Sequence, residues 1–369
     1  MNGMSPVSTP AVPATMRAAV YRGVNDVRVE TVPVPEIGPG EVLLRIGVCG
    51  VCGTDLKKIH TGSHTPPRIF GHEMAGTIAA VGAGVTQWRP GDRVMAFHHI
   101  PCGHCYYCRK KTFAQCETYK HVGCTAGFTP AGGGFAEYIR VMDWIVERGL
   151  VRIPGDVPLD QAAWIEPVNT CFKAVRNLKL AADETVLVMG QGPIGILLAA
   201  LAQREGATVY TSDLYASRHQ YARRFGLTHF IDAGQQDAGE VLRQATDGRG
   251  ADVVIVAVAG NGLIRPAMAA ARPGGRVLLF AATQHGEAVI DPAMVCMDEI
   301  TLLGSYSSSA DIQDEAAKLV LDGYRNGFDL TTLISHRFPL EQAAEGVAFA
   351  SVPKPDSMKV MIETAAAGA

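Results

Sequence analysis

The chain has 369 residues, of which 47% are hydrophobic and 19% are charged, and its formal net charge is -3. This length exceeds the size at which one hydrophobic core usually stops growing, so two domains are expected, and the composition excludes a largely disordered chain. The chain has no long basic run, so no nucleic-acid partner is expected. It also has no run of 18 apolar residues, so no membrane span and no membrane partner are expected.

The first fifteen residues contain three prolines and lack the basic and apolar regions of a secretory or transit peptide. We predict a disordered tail over residues 1–15 and a folded body that begins at Met16. Nine cysteines without an export signal indicate a reducing, cytoplasmic location, where clustered thiols bind metal more often than they pair as disulfides.

Short apolar runs separated by Gly and Pro follow the tail as far as about Arg152, among them VLLRIGV at 42–48 and TIAAVG at 77–82. They predict a β-rich domain. From about Asp160, helical segments alternate with the apolar segments TVLVMG, ATVYTSD, HFIDA, ADVVIVAV, GRVLLFAA and EITLLGSY. This alternation is typical of a doubly wound α/β fold with about six parallel strands, a Rossmann domain over 166–306.

A helix at about 310–324 and a last strand, MKVMIE, are left over after Tyr306. We assign them back to the first domain, so that 16–165 and 307–369 form one β-rich catalytic domain. The Rossmann domain is then inserted into it.

Glycines at positions 190, 192 and 195 form a GxGxxG motif, GQGPIG, directly between an apolar strand and an apolar helix. Gly190 permits a tight turn, Gly192 lets backbone amides approach a pyrophosphate, and Gly195 lets the helix pack on the strand. The phosphate charge then faces the helix N-terminus. We expect this loop, with Pro193 and Ile194 inside it, to bind a dinucleotide. The alternative is a chance match among the 40 glycines of the chain.

Asp213 ends the next predicted strand, about twenty residues beyond the loop. A carboxylate there accepts hydrogen bonds from the adenosine ribose diol and repels a 2′-phosphate, which favours NAD over NADP. Arg218 weakens that preference, since its guanidinium is able either to lie on the adenine or to meet a phosphate.

Four cysteines follow the spacing C-x2-C-x2-C-x7-C in a short loop: Cys102, Cys105, Cys108 and Cys116. Four thiolates fill a tetrahedral zinc shell and leave no position for a substrate, so we expect a structural zinc. An iron–sulfur cluster accepts the same ligands, and a lobe that binds nothing is the other alternative. A metal-free lobe would bury little and lack a core.

Cys52 in GVCGTD, His72 and Glu73 in GHE, and Glu166 in IEP are further candidate metal ligands. No spacing rule joins them. Each alone has an ordinary explanation as a buried cysteine, a turn histidine or a surface carboxylate.

These segments, together with GHEMAGTIAAVGAGVTQWRPGDRV, GGGFAEYI, GQGPIG and TSD in the same order, resemble the zinc-containing medium-chain dehydrogenase/reductase superfamily from about residue 16 to 363. Within it the chain is most similar to the sorbitol/L-iditol 2-dehydrogenase branch, which carries IEP where simple alcohol dehydrogenases have a ligand cysteine. The resemblance implies a GroES-like catalytic domain beside the Rossmann domain.

The resemblance also implies a catalytic zinc on Cys52 and His72, completed by Glu73 directly or by Glu166 directly or through water. One zinc of each kind, catalytic and structural, is expected per chain. Thr54 matches the hydroxyl that contacts the substrate oxygen, and a threonine there also suits a helix N-cap.

Asp55 matches a partner that supports His72, although as an N-cap residue it has an ordinary structural explanation as well. Lys57 stands where several relatives have a proton-carrying histidine, which leaves its role in a proton relay open. Asn169 adds a polar group where many polyol relatives have an apolar one.

We therefore expect a dehydrogenase that transfers a hydride between NAD(H) and a secondary alcohol or ketone, with a polyol or sugar-like substrate. Alternatives are an L-threonine 3-dehydrogenase, an amino-cyclitol dehydrogenase, or a non-catalytic NAD(P)-binding relative. The resemblance implies a homo-oligomer, dimer or tetramer, with residues 287–303 as a candidate contact.

Overall fold

A computed structural model describes residues 12–119, 123–128, 132–281 and 285–364. Most of the predicted tail therefore lies outside the described residues. Thr15 already belongs to the first strand, one residue before the predicted start of the folded body.

The described chain forms a series of strands, which are in chain order β1 Thr15–Gly23, β2 Asp26–Pro33, β3 Val42–Gly50, β4 Arg68–Ile69, β5 Glu73–Val81, β6 Arg93–Ala96, β7 Tyr138–Val141, β8 Leu150–Arg152, β9 Thr185–Met189, β10 Thr208–Asp213, β11 His229–Asp232, β12 Ala251–Val256, β13 Ala271–Leu279, β14 Thr301–Gly304, β15 Ile334–Pro339 and β16 Lys359–Glu363.

The α-helices are, in the same order, α1 Gly53–Thr61, α2 Tyr106–Arg109, α3 Asp143–Arg148, α4 Leu159–Ala162, α5 Ile165–Leu178, α6 Pro193–Arg204, α7 His219–Arg223, α8 Ala238–Ala245, α9 Ile264–Ala270, α10 Pro292–Cys296, α11 Gln313–Arg325 and α12 Ala343–Ser351. Short 3-10 helices lie at Phe113–Gln115, Ala216–Arg218, Asn261–Leu263, Ala310–Ile312, Leu330–Leu333 and Leu340–Gln342. Within the described ranges, no helix has the length and apolar character needed to cross a membrane.

The chain divides into two compact units. The first comprises Met1–Glu166, Gln313–Pro353 and Lys359–Ala369, and the second comprises Pro167–Ile312 with Lys354–Met358. The second unit thus extends six residues past the boundary expected at 306, and it includes a short segment, 354–358, that the sequence pattern did not single out.

The first unit is built on two sheets, with strand orders β2-β1-β4 and β15-β16-β3-β5-β6-β8, and β7 pairs with β3 as well. Strand β3 pairs with β5, β7 and β16, and eight of its nine residues are buried. This explains why VLLRIGV is a continuous apolar run, because no face or edge of the strand meets solvent. Strand β15 and helix α12 were not predicted.

The second unit contains one six-stranded parallel sheet in the order β11-β10-β9-β12-β13-β14. The order reverses at β9, the strand that leads into the GxGxxG loop, as in a doubly wound dinucleotide-binding sheet. Leu187 of this strand packs with residues of α8 and α9 in an apolar core. The predicted α/β class, with a β-rich part and a parallel sheet, is confirmed.

An ion pair between a buried carboxylate and a partly exposed arginine joins the start of β3 to β7. Both carboxylate oxygens of Glu41 accept hydrogen bonds of 2.7 Å from the guanidinium of Arg140, and the backbone N–H of Gly38 donates to the same carboxylate at 2.6 Å. Burial alone raises the pKa of Glu41, but these hydrogen bonds and the charge of Arg140 outweigh it and hold the pKa below its usual value.

We expect Glu41→Gln to lower the free energy of unfolding by about 1–3 kcal/mol near neutral pH, because it removes a charge-assisted bidentate pair. A carboxyl whose pKa is lowered in the folded state stabilises above its unfolded pKa and loses that effect as the pH falls through the folded value. The difference from wild type should therefore shrink in acid, as measured by denaturant unfolding at several pH values. Glu147→Gln, at an exposed carboxylate, is the matched control, and an equal loss at every pH would contradict the assignment.

Candidate active site

The cysteine of GVCGTD caps the first helix. Cys52 has an extended backbone at the N-cap of α1, and its sulfur accepts a hydrogen bond from the backbone N–H of Thr54 at 3.5 Å. The backbone N–H of Cys52 donates in return to Asp55 Oδ2 at 3.3 Å. This reciprocal capping fixes the sulfur in place before any metal binds.

Asp55 is fully buried and joins helix α1 to the GHE segment. Its other oxygen, Oδ1, accepts the backbone N–H of Gly71 at 3.3 Å and lies 3.1 Å from His72 Nδ1. With Nδ1 engaged in this way, Nε2 is the ring nitrogen left for a metal. Burial lowers the pKa of His72, but the charges of Asp55 and Cys52 raise it well above its usual value.

Glu73 follows at the start of β5 and is paired with a lysine from β16. Lys359 Nζ forms an ion pair with Glu73 Oε2 and donates to the carbonyl of Val51 at 3.1 Å. Both side chains are buried. A Cβ at Gly50, opposite Glu73, would lie 2.2 Å from Glu73 Oε2 and 2.7 Å from Lys359 Cε. Any other residue at position 50 would displace these two side chains from their observed positions.

Donor atoms of Cys52, His72 and Glu73 all lie within 4.8 Å of one another. A thiolate, an imidazole and a carboxylate are ligands that catalytic zinc sites combine, with one position left open. The three residues therefore fit a single zinc ion.

Glu166 is buried near this group but is not part of it. Burial raises the pKa of its carboxyl to about 7, the charge of Glu73 adds to the shift, and His72 and Lys359 oppose it. The carboxylate is thus within electrostatic range of the three donors.

The remaining predicted residues of this region lie on α1. Thr54 is in its first turn, and Lys57 is half-buried in its middle.

The four-cysteine loop converges as its spacing predicted. The sulfurs of Cys102, Cys105, Cys108 and Cys116 all lie within 4.8 Å of one another. Backbone N–H groups of Cys102 and Cys105 donate to the sulfurs of Cys116 and Cys102 at 3.3 and 3.4 Å. Apart from Tyr119 and Phe113, the apolar cluster of the lobe consists of the cysteines themselves. Such a lobe fits an enclosed zinc in place of a larger core.

The GxGxxG loop has the geometry of a phosphate-binding turn. Gly190 has φ 103°, which disfavours other residues, and a Cβ at Gly195 would lie 1.9 Å from the carbonyl oxygen of Gly190. Gly192 is the N-cap of α6, and Pro193 opens the helix ahead of Ile194. The helix N-terminus is therefore free of side-chain capping and open to an anion.

Asp213 ends β10 and accepts several hydrogen bonds. Its Oδ2 receives the backbone N–H of Gln191 at 2.7 Å, and its Oδ1 receives that of Tyr215 at 2.9 Å. Arg218 donates to the same carboxylate at 3.1 Å and to the carbonyls of Lys354 and Ser357. Arg218 is therefore held by Asp213, with its guanidinium 4.9 Å from the centre of the Tyr215 ring.

Two family models match the chain: "Alcohol dehydrogenase GroES-like domain" over residues 38–154 and "Zinc-binding dehydrogenase" over residues 193–322. The sorbitol dehydrogenase of Bacillus subtilis is 31% identical over 360 residues, which cover 96% of this chain and 99% of that protein. The chain belongs to the zinc-dependent medium-chain dehydrogenase/reductase superfamily.

Other members of the superfamily are similar over most of their length. An L-threonine 3-dehydrogenase of Sinorhizobium fredii is 31% identical over 340 residues, covering 90% of this chain and 94% of that protein. The structure of a zinc-binding dehydrogenase from Sinorhizobium meliloti, solved with NADP bound, superposes with a TM-score of 0.83 at 28% identity over 95% of this chain and 100% of that one. The chain is accordingly a zinc-dependent oxidoreductase that acts on a small molecule.

Sequence reasoning missed two residues beside the metal donors of this dehydrogenase. Lys359 begins strand β16, and the available signal was a charged residue between the apolar residues Met358 and Val360. His98 follows β6, and its ring centre lies 4.7 Å from that of His72. Its Nδ1 is buried and has no hydrogen-bond partner among the described residues. No spacing pattern pointed to either residue.

We expect Lys359→Met to lower the free energy of unfolding by about 3–5 kcal/mol in zinc-free protein, because it leaves the Glu73 charge buried without a cation. Denaturant unfolding measures the loss. Adding Glu73→Gln should recover most of it, since the unpaired charge is then removed as well. Lys318→Met, at an exposed lysine on α11, is the control, and a Lys359→Met protein as stable as the control would refute this role for the ion pair.

Proposed function

We propose that this dehydrogenase oxidises a secondary hydroxyl of a polyol or sugar-like molecule with NAD+ and catalyses the reverse reduction. The observation that carries the proposal is the donor group Cys52, His72 and Glu73, in which a carboxylate stands beside one thiolate and one imidazole. The similarity to a sorbitol dehydrogenase over nearly the whole chain supports a polyol.

We assign Glu73 as the direct third ligand of the catalytic zinc and Glu166 as a carboxylate that acts through water. Two observations support this choice. Glu73 shares the 4.8 Å donor group with Cys52 and His72, whereas Glu166 lies outside it. A carboxyl with a pKa near 7 is suited to exchange a proton with a water molecule at neutral pH. Lys359 balances the charge of Glu73 and orients its second oxygen.

When bound, zinc supplies a Lewis acid that lowers the pKa of the substrate alcohol, and NAD+ supplies the hydride acceptor. The chain's own residues would position and deprotonate the substrate. Thr54 would accept the hydroxyl proton of the substrate while releasing its own hydroxyl proton towards solvent. Asp55 keeps His72 in one tautomer and one orientation, as its 3.1 Å contact with Nδ1 supports.

A second candidate reaction is the oxidation of L-threonine, which the similarity to L-threonine 3-dehydrogenases supports. Rates of NADH formation with polyols, cyclitols, L-threonine and simple alcohols distinguish the two. A polyol dehydrogenase turns over polyols or cyclitols fastest. Fastest turnover of L-threonine would replace the polyol assignment.

We further propose a reducing, cytoplasmic location and a homo-oligomer, dimer or tetramer. Among the residues that the structure describes, no disulfide joins any of the nine cysteines, which supports the location. Val289 and Met297 in the segment 287–303 are each about four-fifths exposed, at 82% and 80%, which supports a contact there.

Variants of the two cysteine sites test the zinc chemistry. We expect Cys52→Ser and Cys108→Ser each to reduce zinc from about two ions per chain to about one. Cys52→Ser should also lower kcat by on the order of 10²-fold or more, because it disrupts the catalytic site. Cys108→Ser should mainly reduce stability.

Elemental analysis and initial rates of the folded proteins measure these effects. Cys296→Ser, at an exposed cysteine, is the control. Full zinc content and full turnover in Cys52→Ser would rule out this site as the catalytic centre.

The cofactor assignment rests on Asp213, supported by its position at the end of β10 and by the pairing that occupies Arg218. We expect wild type to prefer NAD+. Asp213→Asn should shift the ratio of kcat/KM values towards NADP+ by about tenfold or more, because repulsion of a 2′-phosphate is relieved. Asp232→Asn, at the end of the neighbouring strand, is the control. Equal use of both cofactors by wild type would contradict the assignment.

A further inference from the structure

Two basic side chains lie against the ring of Phe70, just before the GHE segment. The Nζ atom of Lys58 lies 5.7 Å from the centre of this ring, and the ring of His64 meets it edge-on at 5.6 Å. Arg68 stands two residues before Phe70 at the start of β4. We refer to Lys58, His64 and Arg68 as the basic cluster.

The residues of the basic cluster form no ion pair with any acidic residue that the structure describes. Within the described part of the chain, neither Lys58 nor Arg68 forms an ion pair, and His64 has a hydrogen bond of 3.1 Å only with the hydroxyl of Ser63. Burial lowers the pKa of His64, and the positive charges of Lys58 and Arg68 lower it further. The charges of Lys58 and Arg68 therefore act together on His64.

Three other arginines of the same unit have a carboxylate partner. The guanidinium groups of Arg140, Arg152 and Arg325 each lie 2.7 Å from a carboxylate oxygen. Each of these cations thus has a carboxylate within ion-pair distance, whereas neither Lys58 nor Arg68 has one among the described residues.

The side chain of Arg68 also has a hydrogen-bond donor without an acceptor. Its Nε atom is buried and has no hydrogen-bond partner among the described residues. A buried N–H without an acceptor is unfavourable, and the planar guanidinium is shaped to donate two parallel hydrogen bonds to a carboxylate or a phosphate. An anionic ligand would satisfy this donor and offset the like charges together.

The basic cluster borders the candidate metal centre. Lys58 lies four residues after Thr54 on α1, so the two side chains share a face of the helix. Lys58 also acts electrostatically on Asp55 and on His98, the residues that contact His72 by a hydrogen bond and by ring packing. A molecule held at the metal centre is therefore close to these charges.

We propose that the basic cluster binds an anionic group of the substrate, a carboxylate or a phosphate carried on a carbon other than the one oxidised. This inference rests on the proposed function and narrows its substrate class from neutral polyols to acidic or phosphorylated ones. Arg68 and Lys58 are specificity-determining residues in this scheme.

Three six-carbon compounds test the proposal: D-sorbitol, D-gluconate and D-sorbitol 6-phosphate. We expect wild type to have a higher kcat/KM for at least one of the two anionic compounds than for sorbitol, and the better of the two identifies the anion. Arg68→Met and Lys58→Met should each lower the anionic-to-neutral ratio by about tenfold or more. The variants should raise KM for the anionic compound and leave KM for NAD+ unchanged. Lys318→Met is the matched control.

Inorganic phosphate gives a second measurement that does not depend on turnover. Isothermal titration of the purified protein should show phosphate binding that weakens by a similar factor in Arg68→Met and Lys58→Met and is unchanged in Lys318→Met. Lys58 lies on a helix surface, so Lys58→Met should fold. It can be tested even if Arg68→Met does not fold.

The outcomes separate this inference from the proposed function. If the protein oxidises sorbitol and all variants bind phosphate equally well, the basic cluster is not an anion site. The dehydrogenase assignment would be unaffected. A change in KM for NAD+ instead of KM for the substrate would also contradict the proposal, because the basic cluster would then bind a phosphate of the cofactor. Weakened phosphate binding without turnover of any of the three compounds would support the cluster and count against the polyol assignment.

Discussion

The carboxylate of Asp55 holds three parts of the first unit in one arrangement. It accepts the backbone N–H of Cys52 at the start of α1, the backbone N–H of Gly71 in the loop before β5, and it lies 3.1 Å from the ring nitrogen of His72. Burial alone raises the pKa of this carboxylate, but the charge and hydrogen bond of His72, the charge of Lys58 and the N–H of Gly71 hold it below its usual value. The two metal donors on either side of the loop are therefore positioned by the protein before the metal contributes.

The opposite side of the donor group depends on strand pairing over a long distance in sequence. Strand β16 pairs antiparallel with β3, and this brings Lys359 to the carbonyl of Val51 and to Glu73. Gly50 leaves the space that both side chains occupy. A carboxylate balanced by an ammonium group can approach a metal without adding net negative charge to a buried site. The charge of the centre is thus set by residues from β5 and β16, at opposite ends of the folded chain.

Local patterns carried the prediction of the second unit. Sequence spacings of 2, 3.6 or about twenty residues predict the strand–GxGxxG–helix segment, the apolar strands and the Asp at the end of β10. The alternation of strands and helices predicts the parallel order of the sheet. The four-cysteine lobe was equally local. The helix ends differ by a few residues from the predicted ones, as in α11, because propensity does not fix a terminus.

The catalytic site was less accessible to sequence reasoning because its parts come together only through tertiary pairing. Cys52, His72 and Glu73 were named through family resemblance, while Lys359 and the unpaired state of Arg68 depend on which side chains lie opposite each other. Strand β15 and helix α12 were missed because their segments lack a strong period. Charge compensation in particular is a property of neighbours in space, so a list of acidic and basic residues does not reveal it.

The position of Lys359 also bears on how the protein is made. During synthesis, the residues of the parallel sheet leave the ribosome before β16 does, and that sheet can form from one continuous stretch of chain. The sheet of the first unit remains without β15 and β16 for all of that time, so Glu73 has no counter-ion. The charge of the donor group is therefore balanced only after the inserted unit has been synthesised, and zinc taken up earlier would bind a site without its counter-ion.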